Sequence, residues 1–394
     1  MAAARRTVVA DLIGVIVVLL IAIGTVSVFS ADADVGQELT WHSFYKRPGP
    51  RQALFLPLAC VVLYAAAGFN YRRFSLDKGW LRSLVPYWLA ISIALLIVVL
   101  IPGVGIERNF ARRWLLIPLG PVGVSFQPSE LAKWAAVFFL AAFCAGRLAK
   151  LRLFWKGFVP LCLVVGLIVG LIIIEDLGTA AFIALLAFLI LIIGGAKFWH
   201  LLTPLPLCAA AFLLVLLNSP ARMSRITAFL HPQQMADSTG YQANQSLIAI
   251  ASGGLWGKGL GRGICKYGHL PEDTTDFVFA IIGEEFGFVG VAVVILLFTA
   301  FVLLGLIVVL RCKDDFGRLL AGGIVLTVAI QAALNIGVVT VVLPTKGIPL
   351  PFVSAGGTSM LISSAAVGIL MNIARQTAPV EDQEQPEDLS QDLQ

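Results

Sequence analysis

Residues 276–310 read DFVFAIIGEEFGFVGVAVVILLFTAFVLLGLIVVL, an apolar run that begins with a carboxylate. A transmembrane helix needs about 20 apolar residues, because the hydrocarbon core of a bilayer is about 30 Å thick. This run is longer, so we expect its first turns to lie at the interface or the helix to tilt. The stretch predicts a membrane protein in which charged residues at membrane depth have a function.

The composition places the chain among polytopic membrane proteins. Hydrophobic residues make up 59% of the 394 residues and charged residues only 13%, a balance that excludes an ordinary soluble domain. The net charge of +5 does not indicate a nucleic-acid partner, because the basic residues lie at the ends of apolar runs. The six cysteines form no C-x-x-C pair, so neither a zinc site nor a disulfide framework is predicted.

About ten apolar segments have the length of a membrane span. We therefore predict an all-α polytopic membrane protein, a bundle of about ten transmembrane helices, with a large extracytoplasmic loop between spans seven and eight. The first run lacks a signal-peptide cleavage pattern, so we expect it to remain as a span. The predicted limits are 11–29, 53–69, 84–104, 129–147, 157–174, 179–196, 199–218, 276–310, 319–343 and 358–373.

Lys and Arg residues set the orientation, because cytoplasmic loops are enriched in them. The Lys and Arg residues that precede span one and follow spans two, four, six, eight and ten all fall on one side of the predicted bundle, so we expect that side and both termini to be cytoplasmic. Residues 376–394 are acidic and Gln-rich, which predicts a disordered cytoplasmic tail after a transmembrane domain over 1–375.

Loop 105–128 departs from this charge rule. Arg108, Arg112 and Arg113 lie on the predicted outer side, where positive charge is unfavourable during insertion. A local conflict of this kind is expected at a functional site. The alternative is a set of arginines that contact lipid phosphates.

Two more polar groups lie near the same side. Glu130 and Lys133 are three residues apart, so they share a helix face and can pair. They form either a neutralised buried pair or part of a functional site. Glu175 and Asp176 can bind a cation or an amine, or they can form a polar turn that caps span six.

The long outer loop combines basic residues with glycines. Arg222 and Arg225 share a helix face and can hold phosphate, Lys258 and Lys266 add positive charge, and Gln242 lies in its polar stretch. No strand precedes the glycines, so they do not form a nucleotide-binding loop. They let the backbone approach a ligand or another helix closely and stand at 253, 254, 257, 259, 261 and 263.

Asp276 is placed as a general base would be, because a carboxylate in a partly dry outward-facing cavity can accept a proton from a hydroxyl. The alternative is an N-cap of span eight, which the spacing alone favours. Residues 344–359, which include Ser354, are dense in Pro and Gly and cannot form a regular helix. Irregular backbone near membrane depth must line protein or a watery cavity, so we expect this stretch to line the same outer cavity.

These stretches, in this order, resemble the SEDS family of shape, elongation, division and sporulation proteins, which includes FtsW and RodA of bacteria. The resemblance covers roughly residues 11–375 on the predicted span count. The matching stretches are A-R-R-W (111–114), Q-P-S-E-x-x-K (127–133), D-L-G-T (176–179), Y-Q-x-x-Q-S (241–246), S-G-G-x-x-G-x-G-L-G (252–261), L-P-E-x-x-T-D-F-x-F (270–279), G-E-E-x-G (283–287), Q-x-x-x-N-I-G-V-V (331–339) and L-P-F-x-S-x-G-G-T-S (350–359).

The resemblance implies a multi-pass peptidoglycan glycosyltransferase of the bacterial cytoplasmic (inner) membrane. Its implied substrate is lipid II, a disaccharide-pentapeptide on undecaprenyl pyrophosphate. Its implied partners are a class B penicillin-binding protein, which is a transpeptidase, and other membrane proteins of the division or elongation complex. Asp276 matches the catalytic carboxylate, and Glu130 and Lys133 match the paired residues of span four. The stretch 344–347 is more similar to the division-type FtsW branch than to RodA.

Four residues depart from the family pattern. Glu175 stands where Pro is usual, Phe110 where Gly is common, His231 where Asp is frequent, and Ala355 where the family has Tyr. None of these changes removes Asp276 or the pair in span four.

Residues and resemblance lead to one mechanism. Asp276 takes the proton from the acceptor sugar hydroxyl, which attacks the anomeric carbon of the donor as the lipid pyrophosphate leaves. Basic residues would neutralise the departing phosphates, alone or with a divalent cation such as Mg²⁺ or Mn²⁺; the candidates are Arg112, Arg113, Lys133 and Lys266. The predicted substrate-binding residues are Arg112, Arg113, Glu130, Lys133, Lys258, Lys266, Gln242 and Ser354.

Two other functions remain open at this point. A lipid II flippase would use the intramembrane residues Glu130, Lys133, Glu284 and Glu285 to line a path for a polar headgroup. Against it, the polar groups crowd the outer side, and the chain shows no internal repeat of the kind transporters carry. A non-catalytic divisome scaffold is the other alternative, but it would not need Asp276.

Overall fold

The structure is a computed structural model that describes residues 2–32, 47–77, 79–108, 111–119, 122–146, 151, 153–230, 240–265 and 272–377. Within these ranges eight helices are long and apolar enough to cross a membrane, and two shorter apolar helices accompany them. Each predicted span coincides with one or two of these helices, so the predicted polytopic helical bundle is confirmed. The predicted tail covers residues 376–394, and all of it after residue 377 lies outside the described residues.

The described helices, numbered in chain order, include short segments between the spans. A π-helical turn, Phe154–Phe158, leads into α5. The helices are α1 Ala2–Ala31, α2 Pro48–Gly68, α3 Val85–Leu100, α4 Pro128–Gly146, α5 Val159–Ile173, α6 Leu177–Ile193, α7 Phe198–Leu202, α8 Leu205–Leu217, α9 Pro220–Leu230, α10 Tyr241–Gly253, α11 Val278–Arg311, α12 Asp315–Val339 and α13 Gly357–Gln376.

The core has two packed groups of helices. Helix α4 is buried over most of its length and packs against α3, α6 and α12. Helices α1, α2 and α13 pack against one another on the other side. The two groups meet where α13 contacts α4 and α12, and the polar residues of the predicted outer side gather above this junction.

Loop 105–128 contains a small sheet, which the all-α prediction missed. Strands β1 Gly105–Arg108, β2 Ala111–Leu119 and β3 Val122–Phe126 pair antiparallel in the order β1-β2-β3. Successive side chains on a strand point to opposite faces, so the two neighbouring arginines of β2 are directed to different partners. The sheet thereby separates Arg112 from Arg113.

The long run at 276–310 is divided by a break within α11. Gly287 has φ 65° and ψ −161°, a backbone conformation open to glycine and strained for other residues. A Cβ at this position would overlap the backbone of residues 255 and 257. The long run therefore contains a kink at Gly287, and the expected tilt or interfacial first turns stay a prediction.

The long outer loop folds back on α11, and its glycines serve this packing. Helix α10 lies against α11, and a Cβ at Gly253 or Gly257 would overlap the carbonyl oxygen of Gly283 or Glu285. We expected the glycines to allow close approach either to a ligand or to another helix. At Gly253 and Gly257 the structure shows close approach to a helix, α11.

Two carboxylates at membrane depth hold this loop. Glu284 is fully buried and accepts a 2.7 Å hydrogen bond from Lys258 Nζ and a 2.8 Å bond from the backbone N–H of Ile264. Glu285 Oε1 accepts a 2.7 Å hydrogen bond from Ser30 Oγ at the end of α1. The charged residues of α11 therefore connect it to the loop and to α1.

Candidate functional site

A cavity of about 360 Å³ opens among the polar groups of the predicted outer side. Its walls come from segments far apart in the chain: the start of α2, the sheet, the N-termini of α4 and α6, helices α9 and α10, the segment before α11 and the segment between α12 and α13. Its charged lining residues are Arg51, Arg113, Glu130, Asp176, Arg225, Glu272, Asp276 and Lys346.

Asp276 lies in this cavity and does not cap α11. The N-cap of that helix is Phe277, which makes no side-chain capping bond, so the capping alternative is wrong. The backbone carbonyl of Asp276 accepts a 2.8 Å hydrogen bond from Asn335 Nδ2. Its carboxylate lies beside Gly347, where an added Cβ would come within 2.9 Å of Oδ2.

The surroundings of Asp276 favour its protonated form. Burial is the main cause and raises the pKa of Asp276 to about 7, with a further contribution from the negative charges of Glu272 and Asp176. The positive charges of Arg113 and Arg225 act in the opposite direction. A carboxyl with a pKa near neutrality can both accept and release a proton at physiological pH.

The chain that carries Asp276 is strained just before it. Glu272 has φ 57°, which is uncommon for a residue with a side chain, and its carbonyl accepts the backbone N–H groups of Thr275 and Asp276 at 3.2 and 3.1 Å. Phe352, after the opposite wall, has φ 65°. Such strain persists only where surrounding contacts enforce it, and it occurs often at functional sites.

Glu130 and Lys133 pair as predicted. Lys133 Nζ donates to Glu130 Oε2 at 2.8 Å and to Gln331 Oε1 at 2.9 Å. Ser359 Oγ donates to the same Glu130 oxygen at 2.7 Å. Glu130 lines the cavity, whereas Lys133 is buried behind it and does not.

Arg113 joins the sheet to the turn before α6. Its Nε and Nη2 atoms donate to the carbonyl of Glu175 at 3.1 and 2.8 Å, and Nη1 lies 3.6 Å from Asp176 Oδ2. Asp176 also caps α6 by accepting the backbone N–H of Thr179 at 3.0 Å. The predicted cap is confirmed, and the same carboxylate lines the cavity.

Arg112 is directed away from the cavity. Its guanidinium lies 3.6 Å from Glu107 Oε2, and its backbone N–H donates to Glu175 Oε2 at 2.8 Å. Glu175, which departs from the family pattern, therefore fastens β2 to the turn before α6 through its side chain as well as its carbonyl.

Two further cations face the cavity from separate elements. Arg225 on α9 lines it, whereas Arg222, one turn away, donates to the carbonyl of Ile174 at 3.1 Å. Lys346 extends from the irregular 344–356 segment, and burial lowers the pKa of its ammonium group. Arg113, Arg225 and Lys346 thus present positive charge to the same cavity as Asp276.

The remaining predicted substrate-binding residues have different positions. Gln242 lines the cavity. Lys258 is paired with Glu284 and does not line it. Ser354 is buried, and its Oγ accepts the backbone N–H of Leu350 at 2.8 Å, which fixes the turn at 350–354. Lys266 lies outside the described residues, as do the family departures Phe110 and His231.

Sequence reasoning missed several residues of the site. Arg51 and Gln52 line the cavity from the first turn of α2, and the only sequence signal was their place after Pro48-Gly49-Pro50 at the start of a span. Gln331 and Asn335 stood out in the sequence only as part of the stretch 331–339. Two amides one turn apart in an apolar span were a usable signal, because polar groups at membrane depth need partners.

No metal site is formed by the part of the chain that the structure describes. Among those residues no group of three or more His, Cys, Asp or Glu side chains could hold a metal ion. Mg²⁺ is often bound by only one or two carboxylates together with substrate phosphates, so the divalent cation that we considered stays a prediction.

Known proteins match this chain over nearly its whole length. The family FTSW_RODA_SPOVE, described as "Cell cycle protein", matches residues 10–378. The "Probable peptidoglycan glycosyltransferase FtsW" of Geobacter metallireducens is 36% identical over 365 residues, which cover 91% of this chain and 94% of that protein. "Stage V sporulation protein E" of Bacillus subtilis is 36% identical over 368 residues, which cover 92% and 96%.

Solved structures agree with this assignment. The rod shape determining protein RodA of Thermus thermophilus superposes with a TM-score of 0.64 at 27% identity and covers 93% of this chain and 96% of its own. A chain of a peptidoglycan synthase complex, described for its coordination of polymerization and crosslinking, superposes with a TM-score of 0.71 at 27% identity and covers 94% and 98%. The chain therefore belongs to the FtsW, RodA and SpoVE family of cell cycle proteins, the SEDS family.

Proposed function

We propose that this chain is a peptidoglycan glycosyltransferase that polymerises lipid II into glycan strands at the outer face of the bacterial cytoplasmic membrane. One observation carries the proposal: a carboxyl with a pKa of about 7 faces a cavity that four cationic side chains also line. The similar proteins named as glycosyltransferases support the same activity.

The acceptor side of the reaction needs a base. In the proposed step Asp276 removes the proton of the acceptor sugar hydroxyl, and the resulting oxygen attacks the anomeric carbon of the donor. A new glycosidic bond forms as the bond from that carbon to the pyrophosphate breaks. A single base opposite the leaving group leads to inversion at the anomeric carbon, by analogy with inverting glycoside chemistry.

The donor side needs positive charge where the pyrophosphate leaves. Arg113, Arg225 and Lys346 reach the cavity from β2, α9 and the 344–356 segment. Fixed cations in a partly dry site stabilise developing negative charge without reorganising. These three residues suit the role better than Arg112, which faces Glu107, or Lys133, which is held by Glu130 and Gln331.

The flippase alternative loses part of its basis. It needed Glu284 and Glu285 to line a path across the membrane, but Glu284 is held by Lys258 and backbone N–H groups and Glu285 bonds to Ser30. A scaffold would need neither a carboxyl with a pKa near neutrality nor basic side chains that face the same cavity. Polymerisation of a lipid-linked sugar uses both features.

Orientation and partners belong to the same proposal. The Lys and Arg distribution supports cytoplasmic termini, and with that orientation the cavity would lie on the outer face, where peptidoglycan is assembled. A structural relative belongs to a complex of polymerisation and crosslinking, which supports a class B penicillin-binding protein as partner. The similar FtsW proteins support a division-type role.

The test is polymer formation from purified lipid II, detected in gels, with and without the class B penicillin-binding protein of the same organism. Asp276→Asn should abolish polymer while the variant still inserts and purifies like the wild type. Polymer from Asp276→Asn would remove the base from the mechanism. No polymer from the wild type under any of these conditions would overturn the proposed activity, and lipid II scrambling in vesicles would then test the flippase.

A further inference from the structure

Two buried amides lie one turn apart on α12. Gln331 is 5% exposed and Asn335 is 1% exposed, in a helix that is apolar around them. A buried amide without hydrogen bonds is destabilising. The partners of these two side chains therefore indicate what they do.

Each amide holds a different part of the candidate site. Asn335 Nδ2 donates at 2.8 Å to the carbonyl of Asp276 and at 2.8 Å to that of Ile348. Gln331 Nε2 donates at 2.9 Å to the carbonyl of Pro349, while its Oε1 accepts from Lys133 Nζ at 2.9 Å. Two consecutive carbonyls of the irregular wall are thus fixed to one helix face.

The wall that they fix contacts the carboxylate of Asp276. Residues 344–350 have no regular secondary structure, so the position of this segment depends on bonds from its neighbours. An added Cβ at Gly347 would lie 2.9 Å from Asp276 Oδ2, which places wall and carboxylate in direct contact. Lys346, the adjoining residue, reaches the cavity from the same wall.

We infer that Gln331 and Asn335 are positioning residues, which hold the wall at 346–349 against Asp276 and connect both to the Glu130–Lys133 pair. This inference rests on the proposed function. Neither amide lines the cavity, so both act through other residues. Through these bonds α12 fixes the backbone next to the base and the backbone of the wall that carries Lys346.

The pH dependence distinguishes positioning from ordinary structural support. The charged groups that act on Asp276 lie on other elements, so an Asn335 variant removes no charge next to the carboxyl; these groups are Glu272, Asp176, Arg113 and Arg225. Loosening the wall would let water reach the carboxyl and lower its pKa. The acidic limb of kcat/KM should then move to lower pH.

The experiment compares Asn335→Ala and Gln331→Ala with wild type in the lipid II polymerisation assay, in the presence of the partner transpeptidase. We expect kcat to fall roughly 10- to 100-fold, because displacement of reacting groups by about 1 Å can cost 100-fold. KM for lipid II should change much less, and the acidic limb of kcat/KM should shift to lower pH.

A third buried amide provides the matched control. Asn372 on α13 is 6% exposed, donates to the carbonyl of Ala67 at 2.9 Å and accepts the backbone N–H of Tyr71 at 3.2 Å. It lies about 22 Å along the helix from the cavity residue Gly357, at 1.5 Å per residue. Asn372→Ala should lower the unfolding temperature but leave kcat and the acidic limb as in wild type.

The outcomes separate the inference from the function on which it rests. If Asn335→Ala and Gln331→Ala lose no more kcat than Asn372→Ala and keep the wild-type limb, the positioning role is overturned. Inactive Asp276→Asn beside active wild type would then leave the proposed function standing. If Asn335→Ala does not fold, Gln331→Ala decides, because it keeps both bonds of Asn335. Wild type without polymer would overturn the function and this inference together.

Discussion

The ammonium group of Lys133 donates a 2.8 Å hydrogen bond to the Glu130 carboxylate inside the bundle, where the two side chains are 1% and 7% exposed. Removal of one partner from a buried pair leaves an uncompensated charge, which costs about 3–5 kcal/mol. The rings of Trp134 and Phe182 lie 5.6 and 5.9 Å from Lys133 Nζ, so aromatic side chains border the ammonium group in addition to Glu130 and Gln331.

We therefore predict that Lys133→Met lowers the stability of the protein by about 3 kcal/mol or more, measured by thermal unfolding in detergent. Glu130→Gln/Lys133→Met, which removes both charges, should recover most of that loss. The double variant should still polymerise poorly, because Glu130 lines the cavity. An unfolding temperature for Lys133→Met equal to that of wild type would contradict the buried pair.

The rate of polymerisation should depend on the protonation of Asp276. A base acts in its deprotonated form, so kcat/KM should be low in acid, rise with pH and reach half its plateau near pH 7, where the pKa of Asp276 lies. Below that point the fall should be about tenfold per pH unit. The measurement is the pH profile of kcat/KM for lipid II.

Asp273 gives this profile its control. Burial is the main cause that raises the pKa of Asp273, to about 6, but this residue does not line the cavity. Asp273→Asn should therefore keep the acidic limb. Loss of the limb in that variant would assign the titration to Asp273 and withdraw it from Asp276.

The sequence alone predicted those features of the fold and site that depend on residues close together in the chain. The polytopic helical bundle and the Glu130–Lys133 pair depend on local composition and spacing, which a single sequence displays, and both predictions are confirmed. The break at Gly287 and the packing of α10 on α11 depend on which backbones meet. The sequence contained the glycines but not the partner of each.

For other residues of the site, the sequence does not show which way the side chain is directed or which partner it binds, because both depend on tertiary structure. Strand β2 directs Arg113 to the cavity and Arg112 to Glu107, and the sheet itself was not predicted. Lys258 had the charge of a phosphate ligand, but a buried carboxylate 26 residues away in the chain binds it. Charge and spacing identify candidates, whereas partners decide which candidates face the cavity.

Arg225 and Arg222 form a matched pair on α9. Arg225 lines the cavity and its charge lowers the pKa of Asp276, whereas Arg222 donates to the carbonyl of Ile174. Arg225→Ala should reduce kcat roughly 100-fold, the loss typical for removal of one fixed group that stabilises developing charge. It should also move the acidic limb to higher pH, because a cation that favours the carboxylate is gone.

Arg222→Ala, assayed beside it, should keep a rate within a few-fold of wild type and an unshifted limb. Equal losses in the two variants would mean that α9 contributes through its fold and that Arg225 has no special relation to the leaving phosphates.

Gly347→Ala should lower activity through direct contact with the base. The added methyl group would come within 2.9 Å of Asp276 Oδ2, so the carboxylate must move from its place. A displacement of this kind can cost on the order of 100-fold in rate.

Gly166→Ala on α5 is the comparison, because nothing lies within 4 Å of its added Cβ. That variant should keep full activity and gain about 0.5–1 kcal/mol of stability, since alanine favours a helix. Full activity in Gly347→Ala would show that the carboxylate tolerates displacement.

Two lysines of the outer side should give opposite results. Lys258 Nζ pairs at 2.7 Å with the fully buried Glu284 and does not line the cavity. Lys258→Ala should therefore lower stability by about 3 kcal/mol and leave KM for lipid II unchanged.

Lys346→Ala should raise KM or lower kcat by roughly 10-fold or more through lost phosphate neutralisation, with a smaller change in unfolding temperature. Thermal unfolding and polymerisation kinetics of the two variants decide the question. A raised KM in Lys258→Ala would place that lysine at the substrate, whereas unchanged kinetics in Lys346→Ala would remove the 344–356 wall from the phosphate site.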